Sequence, residues 1–386
     1  MSLQFDVLIV GGGVVGLTAA LAMAQRNYTV AVIDSGPLKI DNSTEDLRVY
    51  AINKASQSLL AQLNVWQHLD VTRVSPYDKM YVWDGVTGAH IDFDSRSIAA
   101  PDLGAIIDES VLKKALLQQI FNETTISLYP HCSAEEVNIL EQGVSISSQD
   151  ILWEGKLLMI ADGANSPTRQ KLNVPITSWP YNQQALVATV NTEKPHQQTA
   201  YQVFHPDGPL AFLPLSDPNQ CSIVWSTQPR RAQNLMALDV DDFNLELTRT
   251  FAKQLGEVHL VSARHQFPLQ MRHVKQYTGK HWLLLGDAAH TIHPLAGLGL
   301  NVGLADICTW LQLLDASDGR FASKRLLGAY QRERKHAVWQ TILLMEGFKH
   351  LFGYSHAPIT TLRGLGLRLC NEMTPLKRLF IQHAAG

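Results

Sequence analysis

A run of glycines near the start of the chain has the spacing of a phosphate-binding turn. Gly11, Gly13 and Gly16 satisfy the pattern G-x-G-x-x-G, and Asp34 closes the strand predicted after it. Such glycines let the backbone approach a pyrophosphate at a helix N-terminus, where unpaired N–H groups favour negative charge. A carboxylate placed like Asp34 accepts hydrogen bonds from ribose hydroxyls. The pattern predicts a dinucleotide site, for NAD or FAD alike, against the alternative of a ligand-free glycine turn.

The elements around this turn form a βαβ unit, the context that makes the glycine pattern specific. Residues 5–10 are a β-branched apolar run, residues 14–25 are good helix formers, and residues 28–34 resume a strand. Further buried strands ending in turns are predicted at 156–163 and 281–287, and helices at 106–121, 299–314 and in 325–386. The stretches 76–100 and 180–268 have alternating patterns typical of antiparallel strands, which indicates a second domain inserted into the first.

Two later segments resemble the second and third signatures of the FAD-dependent aromatic hydroxylases, the single-component flavoprotein monooxygenases. They contain Asp162-Gly163 and Gly286-Asp287-Ala288-Ala289-His290, in the order and at the spacing of that family. Residues 48–52, 103–109, 208–215 and 293–301 look like the ubiquinone-biosynthesis hydroxylase branch, which usually has Gln where this chain has Leu298. The resemblance runs from residue 5 to the end of the chain.

The resemblance implies an α/β fold with a discontinuous cofactor domain. A Rossmann-like FAD-binding domain of the glutathione-reductase and aromatic-hydroxylase type would be interrupted by a mixed α+β substrate domain with an antiparallel sheet. We place the FAD-binding domain at 1–75, 101–179 and 269–340, the substrate domain at 76–100 and 180–268, and a helical C-terminal segment at 341–386.

The resemblance also implies roles for individual residues. Asp287 would bind the ribityl chain of FAD and Arg48 would lie along its phosphates and ring edge, against the alternatives of a helix cap and a surface ion pair. Asp162 and Gly163 would lie near the pyrophosphate and the transient NAD(P)H site, with Arg169 as a weaker phosphate contact and an ordinary capped turn as the alternative. The remaining implied residues are Leu300 and Asn301 for the cofactor, and Pro294, Gly297 and Gly299 for the loop beside the flavin ring where O2 reacts.

The predicted substrate sheet has aromatic side chains and few charges. Between residues 195 and 228 there is no Lys or Arg, whereas a carboxylate substrate would favour a basic partner. We therefore expect a hydrophobic aromatic substrate, contacted by Tyr201, Phe212 and Pro214. Aromatic side chains at alternating positions are also typical of a sheet core, which is the alternative.

Other partners are constrained by charge and by the cysteine and histidine pattern. The net charge of −3 disfavours nucleic acid, four scattered cysteines form no zinc pattern, and His290 with His293 makes poor metal ligation, so no metal is expected. The first residues are strand-like rather than a leader, which favours a cytoplasmic protein.

Residues 341–386 carry five basic and two acidic residues among many apolar ones. We expect this tail either to contact the inner face of a membrane or other quinone-biosynthesis proteins, or to pack as a helix pair; a homo-oligomer remains open.

Together these features predict an FAD-dependent monooxygenase. NAD(P)H would reduce the bound flavin, and one atom of O2 would enter the ring of a polyprenylated phenol or quinol in ubiquinone biosynthesis. The alternatives are a hydroxylase of another small aromatic compound, a flavin-dependent reductase, and a flavin-binding scaffold subunit of a quinone-synthesis complex.

Overall fold

The computed structural model describes residues 2–39, 48–292, 297–317, 319, 321–354, 356–373, 375 and 377. The strands, in chain order, are β1 (Ser2–Val10), β2 (Val30–Ile33), β3 (Val49–Asn53), β4 (Val74–Tyr77), β5 (Lys79–Asp84), β6 (His90–Asp94), β7 (Gly104–Asp108), β8 (Ile126–Tyr129), β9 (Glu136–Ile139), β10 (Val144–Ser148), β11 (Ile151–Ile160), β12 (Ile176–Thr192), β13 (Thr199–His205), β14 (Gly208–Pro214), β15 (Gln220–Thr227), β16 (Val258–Leu260), β17 (His265–Val274), β18 (Thr278–Gly279), β19 (Trp282–Leu284) and β20 (His290–Thr291). The helices are α1 (Val14–Ala24), α2 (Lys54–Gln62), α3 (Glu109–Ile120), α4 (Pro167–Lys171), α5 (Pro229–Ala237), α6 (Val240–Thr250), α7 (Leu298–Asp315), α8 (Lys324–Gly353) and α9 (Ala357–Glu372).

The first sheet is built around the strand that precedes the glycine turn. Its parallel strands lie in the order β19-β11-β1-β2-β8, with an antiparallel extension of β10 and β9 on β11. The end of β1, from Val7 to Val10, is almost fully buried, as expected for a strand covered on both faces. This sheet confirms the predicted βαβ unit and places the ends of β1, β11 and β19 side by side.

The second sheet is largely antiparallel and has its own core. Its order is β20-β17-β12-β15-β14-β13-β5-β6, with β16 on β12, and β13 pairs with β5 in parallel. One face packs against α5 and α6 and the loop after them, with Phe212, Trp225, Phe243 and Phe251 at the centre. The other face is turned towards the first sheet and the small antiparallel sheet β3-β7-β4. The fold is therefore the predicted α/β domain with an α+β insert.

Two details differ from the sequence prediction. The periodicity predicts one helix over 106–121, but Ile106 and Ile107 belong to β7 and the helix begins at Glu109. The β-branched residues before Asp108 satisfy a strand as well as a helix, and the pairing of β7 with β3 and β4 decides between them. The predicted domain boundaries after 75, 179 and 268 fall inside β4, β12 and β17, so the division of the chain stays a prediction.

The C-terminal helices connect the two layers. The first half of α8 buries Leu327, Tyr330 and Val338 in the first core, and its second half packs Phe352 against Phe204 of the second sheet. Helix α9 lies beside β6. Within the described residues, every helix is too short or too polar to cross a lipid bilayer.

Candidate functional site

The glycine turn between β1 and α1 is packed so tightly that side chains would clash. A Cβ atom on Gly11, whose φ is +112°, would lie 2.3 Å from the carbonyl oxygen of Ala161, and one on Gly16 would lie 1.9 Å from that of Gly11. At Gly13, which precedes α1, a Cβ atom would meet open space. Among the residues that the structure describes, no side chain caps the start of α1. The turn thus presents the first N–H groups of a buried helix to an open surface, as a pyrophosphate requires.

Asp34 holds this turn from the end of β2. Its Oδ2 accepts a hydrogen bond from the Gly12 N–H at 2.5 Å, and its Oδ1 accepts one from the Gly36 N–H at 2.7 Å. Each carboxylate oxygen keeps a further lone pair. The predicted ribose contact therefore stays a prediction, while positioning of the turn is a role that the sequence analysis did not assign.

The second signature lies at the end of β11, next to the glycine turn. Asp162 Oδ2 accepts a hydrogen bond from the Thr168 N–H at 3.1 Å, but Oδ1 is buried and has no partner among the described residues. Gly163 follows with φ +85° and open space where a side chain would stand. A buried acceptor without a donor is costly and indicates a missing hydrogen-bonding group.

The side chain of Arg169, predicted as a weaker phosphate contact, binds backbone carbonyl groups of the protein in this structure. Its side chain is almost fully buried, and it donates to the carbonyl of Ala288 at 2.8 Å and to that of Ala164 at 3.1 Å. The arginine therefore ties the second signature to the third.

Arg48 and Asp287 come from different elements and interact electrostatically. Arg48 precedes β3 and is 63% exposed, with Nη1 3.7 Å from Glu109 Oε2. Asp287 lies in the 3-10 turn Gly286–Ala288 with its side chain exposed, and no described residue donates a hydrogen bond to it. Crowding by the surrounding protein raises the pKa of this carboxyl, although His290, Arg48 and Arg272 nearby favour its charged form. A carboxylate that accepts no hydrogen bond from the described residues fits the predicted contacts with ribityl hydroxyls, and the exposed arginine whose charge acts on it fits the predicted contact with phosphates.

A buried charged cluster supports the turn that carries Asp287. Asp306 of α7 is fully buried and accepts hydrogen bonds from the Gly286 N–H at 2.8 Å, from His290 Nε2 at 2.8 Å and from Arg334 Nε at 2.6 Å. Burial opposes its ionisation, but His290 and Arg334 lower the pKa of this carboxyl below its ordinary value. The sequence analysis missed Asp306 and Arg334; an aspartate in the middle of a largely apolar helix was the available signal.

Helix α7 begins beside β3. Gly297 has φ +65°, and a Cβ atom there would lie 2.9 Å from that of Ala51, whereas one on Gly299 would meet open space. Leu300 is partly buried against the first core. Pro294, predicted with Gly297 and Gly299 for the oxygen-reacting loop, lies outside the described residues.

The side chain of Asn301 is fully engaged with the protein. It accepts hydrogen bonds from the Asn53 N–H and the Ser56 hydroxyl and donates one to the Ala51 carbonyl at 2.7 Å. It therefore fixes α7 to β3 and α2, and the predicted cofactor contact of this residue stays a prediction.

The predicted substrate residues lie on the face of the second sheet that packs against α5 and α6. Phe212 is fully buried and stacks on Phe251, with ring centroids 3.7 Å apart, and Tyr201 packs against the same ring. Pro214 is buried on the same strand face, since side chains alternate along β14. These three residues belong to the core beneath α5 and α6, the alternative that the alternating aromatic pattern also allowed.

The opposite sheet face, which the sequence analysis missed, is turned towards the first domain. Ala211 is paired with Gln202 on β13 and with Val224 on β15, so that these three side chains form a row across the sheet. Val224 packs against the first core, and Leu213, two residues after Ala211, packs against Ala51. The row is neutral and contains small or flexible side chains.

The residues present fit FAD. The glycine turn, the orphaned oxygen of Asp162 and the exposed pair Arg48 and Asp287 supply N–H donors, acceptors and a cation where a dinucleotide needs them.

Comparison with known proteins gives concordant results. Residues 4–344 match the family described as FAD binding domain. The chain is similar to the 3-demethoxyubiquinol 3-hydroxylase of Escherichia coli (strain K12), with 35% identity over 99% of this chain and 98% of the relative. It is also similar to the ubiquinone hydroxylase UbiL of Rhodospirillum rubrum, with 32% identity over 99% of this chain and 89% of the relative. The fold resembles that of p-nitrophenol 4-monooxygenase PnpA from Pseudomonas putida DLL-E4, with a TM-score of 0.80, 16% identity, and coverage of 99% of this chain and 98% of that chain.

Proposed function

The chain belongs to the FAD-binding family that includes the ubiquinone-biosynthesis hydroxylases, and from this premise we propose that it hydroxylates the ring of a polyprenylated phenol or quinol. FAD is its cofactor, NAD(P)H its reductant and O2 its co-substrate. When bound, FAD passes two electrons from NAD(P)H to O2, so that one oxygen atom enters the ring and the other leaves as water.

The residues of the first domain hold the cofactor. The N–H groups at the start of α1 bind the pyrophosphate, with Gly11 and Gly16 keeping the backbone close to the strand ends. Asp34 accepts hydrogen bonds from the ribose hydroxyls, and Asp287 accepts those of the ribityl chain. Arg48 lies along the phosphates and the ring edge, where its guanidinium donates in a plane.

The start of α7 acts at the flavin ring. We infer that the first N–H groups of this helix, from Gly299 onwards, stabilise the negative charge that develops on the reduced ring and on oxygen. Gly299 leaves room for the ring because no side chain fills the space in front of it.

The neutral sheet face supports the substrate class most directly. The row Gln202, Ala211 and Val224 offers an amide and two apolar side chains, and residues 195–228 contain no Lys or Arg. An aromatic carboxylate would find no cationic partner on these strands. A neutral phenol or quinol has a much smaller free-energy cost of desolvation. This face also keeps water away from the site where O2 reacts, so that the reaction with the ring does not compete with a reaction with water.

Mass spectrometry of quinone intermediates tests the proposal. Lipid extracts are compared from cells that lack the protein, carry it, or carry Asp287→Ala. We expect accumulation of one prenylated ring lacking a single oxygen atom in the first and third strains. Unchanged quinones in the first strain would contradict the function and favour another aromatic substrate. Restored quinones with a flavin-free Asp287→Ala protein would favour the scaffold alternative.

The tail suggests how such a substrate is reached. Nine of the nineteen exposed large hydrophobic side chains of the described residues lie between Trp339 and Met373, including Leu362, Leu365 and Leu369 on one stripe of α9. We infer that this stripe contacts a membrane surface, since a polyprenylated ring resides in lipid. Arg363 does not add to the charge of that surface, because it is buried against Asp84. Contacts with other quinone-biosynthesis proteins and with further copies of the chain stay predictions.

A further inference from the structure

A groove opens between the β13–β14 turn and the last turns of α8, apart from the residues assigned to FAD. Its volume is about 310 Å³, which lies within the usual range of ligand sites. Three aromatic rings, two prolines and two glycines form its apolar lining, which includes Phe204, Pro206, Pro209, Phe352 and Tyr354. Its polar lining consists of Gln183, His205, Lys349 and His350.

The groove continues the neutral sheet face. Phe204 and Pro209 are paired across β13 and β14, two residues along each strand from the pair Gln202 and Ala211. Side chains two residues apart lie on the same face, about 7 Å from each other. A ring placed on Ala211 would therefore have the groove directly beside it, in the direction of the β13–β14 turn.

The lysine at the groove, Lys349, is engaged by the protein. The ammonium group of Lys349 donates to the Tyr181 carbonyl at 3.2 Å and lies 4.8 Å from the centre of the Tyr181 ring. This leaves the alkyl part of the lysine to line the groove.

A buried ion pair fixes the groove wall formed by the end of α8. Arg363 binds both oxygens of Asp84 at 2.9 Å and also donates to the carbonyls of Leu351 at 2.8 Å and Tyr354 at 3.1 Å. Both charged side chains are almost fully buried. The wall is thus held in place before any ligand binds.

The outer end of the groove is open. Tyr354 is 50% exposed and Leu351 is 42% exposed, and both belong to the exposed apolar residues of the tail. A long apolar ligand could enter the groove at one end and leave it towards the stripe on α9.

We propose that this groove binds the isoprenoid chain of the substrate, next to the ring. The inference rests on the proposed function, and it assigns the first part of the chain to the groove and the rest to the exposed tail or to lipid. Recognition of the chain is by burial of apolar surface and does not depend on total chain length, because the groove is open at its outer end.

Two glycines of α8 allow a matched test. A Cβ atom on Gly353 would have the Pro206 carbonyl as its nearest neighbour, at 3.8 Å, so Gly353→Phe introduces a ring into the groove without a backbone clash. Gly347 lies in the same helix outside the groove, with open space around it, so Gly347→Phe is the control.

The variants are compared as full-length, FAD-loaded protein with two probes. One is a phenol that carries three isoprene units, and the other is the same phenol with a methyl group instead. Equilibrium dialysis without NAD(P)H gives affinity, and oxygen incorporation gives KM and kcat. For Gly353→Phe we expect affinity for the prenylated phenol to fall about tenfold, with the methyl phenol unchanged and Gly347→Phe like wild type.

The outcomes separate the groove from the reaction. Equal losses for both phenols, equal losses in both variants, or unchanged affinity for the prenylated phenol in Gly353→Phe would overturn the groove assignment. Groove-dependent binding of the prenylated phenol without hydroxylation of either probe would support the groove and contradict the proposed function.

Discussion

The buried carboxylate of Asp306 should determine both stability and cofactor retention. Asp306→Asn keeps the shape of the side chain but removes its charge and replaces one acceptor with an N–H donor. Its three partners, the Gly286 N–H, His290 Nε2 and Arg334 Nε, all donate hydrogen bonds to the carboxylate, so one of them would face the new amide hydrogens. The guanidinium of Arg334, only 7% exposed, would lose its counter-ion.

The expected cost follows from that burial. Breaking a buried ion pair by removing one partner costs about 3 to 5 kcal/mol in the free energy of unfolding. Asp315→Asn is the matched control, since Asp315 lies at the exposed end of the same helix and pairs with Arg26 at the surface. Loss of this surface ion pair should lower the free energy of unfolding by about 1 kcal/mol or less. Loosening of the turn that carries Asp287 should also weaken FAD binding in Asp306→Asn alone.

Urea denaturation followed by tryptophan fluorescence measures the stability, and flavin content after dialysis measures cofactor retention. Adding Arg334→Met to Asp306→Asn should recover part of the stability, because the unpaired buried cation is removed. Equal unfolding midpoints for Asp306→Asn and Asp315→Asn, or strictly additive effects of the two substitutions in the cluster, would refute the reasoning.

Two further predictions concern packing and pH. Gly16→Ala should cost about 1 to 3 kcal/mol of stability and lose FAD, because its Cβ atom would lie 1.9 Å from the Gly11 carbonyl oxygen; normal flavin content after purification would contradict this. Burial, together with the nearby charges of His290 and Lys335, lowers the pKa of His273 to about 4. Between about pH 6.5 and pH 4, His273 is therefore protonated in the unfolded chain but neutral in the native state. The free energy of unfolding is at its full value above about pH 6.5 and falls by about 3 kcal/mol towards pH 4. Urea midpoints across this range should fall less in His273→Phe than in wild type, and parallel profiles would exclude the effect.

The cofactor half of the site was predictable because its signals are local. Gly11, Gly13 and Gly16 are needed by one turn, and the strand and helix that flank them are contiguous in sequence. The buried cluster could not be predicted from the sequence, because Asp306 and Arg334 come into contact only when α7 packs against α8. A charged residue in a helix is usually solvated, and no local pattern indicates its partner.

The substrate side shows a different limit. Alternation along β13 and β14 separates Tyr201 and Phe212 from Gln202 and Ala211, but it does not say which face meets which layer. The aromatic face packs on α5 and α6, whose amphipathic faces had to be placed before the assignment could be made. Similarly, Arg363 counted as a surface charge in the sequence, whereas the fold buries it with Asp84 from a strand 279 residues away.

The span of α8 affects how this protein can be recombined with its relatives. With 30 residues, the helix is about 45 Å long; its first half contributes Arg334 to the buried cluster, and its last turn contributes Phe352 to the contact with the second sheet. A chimera that exchanges residues 76–100 and 180–268 alone would set a foreign Phe204 position against the native Phe352. The transplantable unit for specificity therefore includes the second half of α8 and α9, and crossover points belong at the exposed residues Leu343 and Leu344, between Ile342 of the first core and Met345, which packs with Phe352.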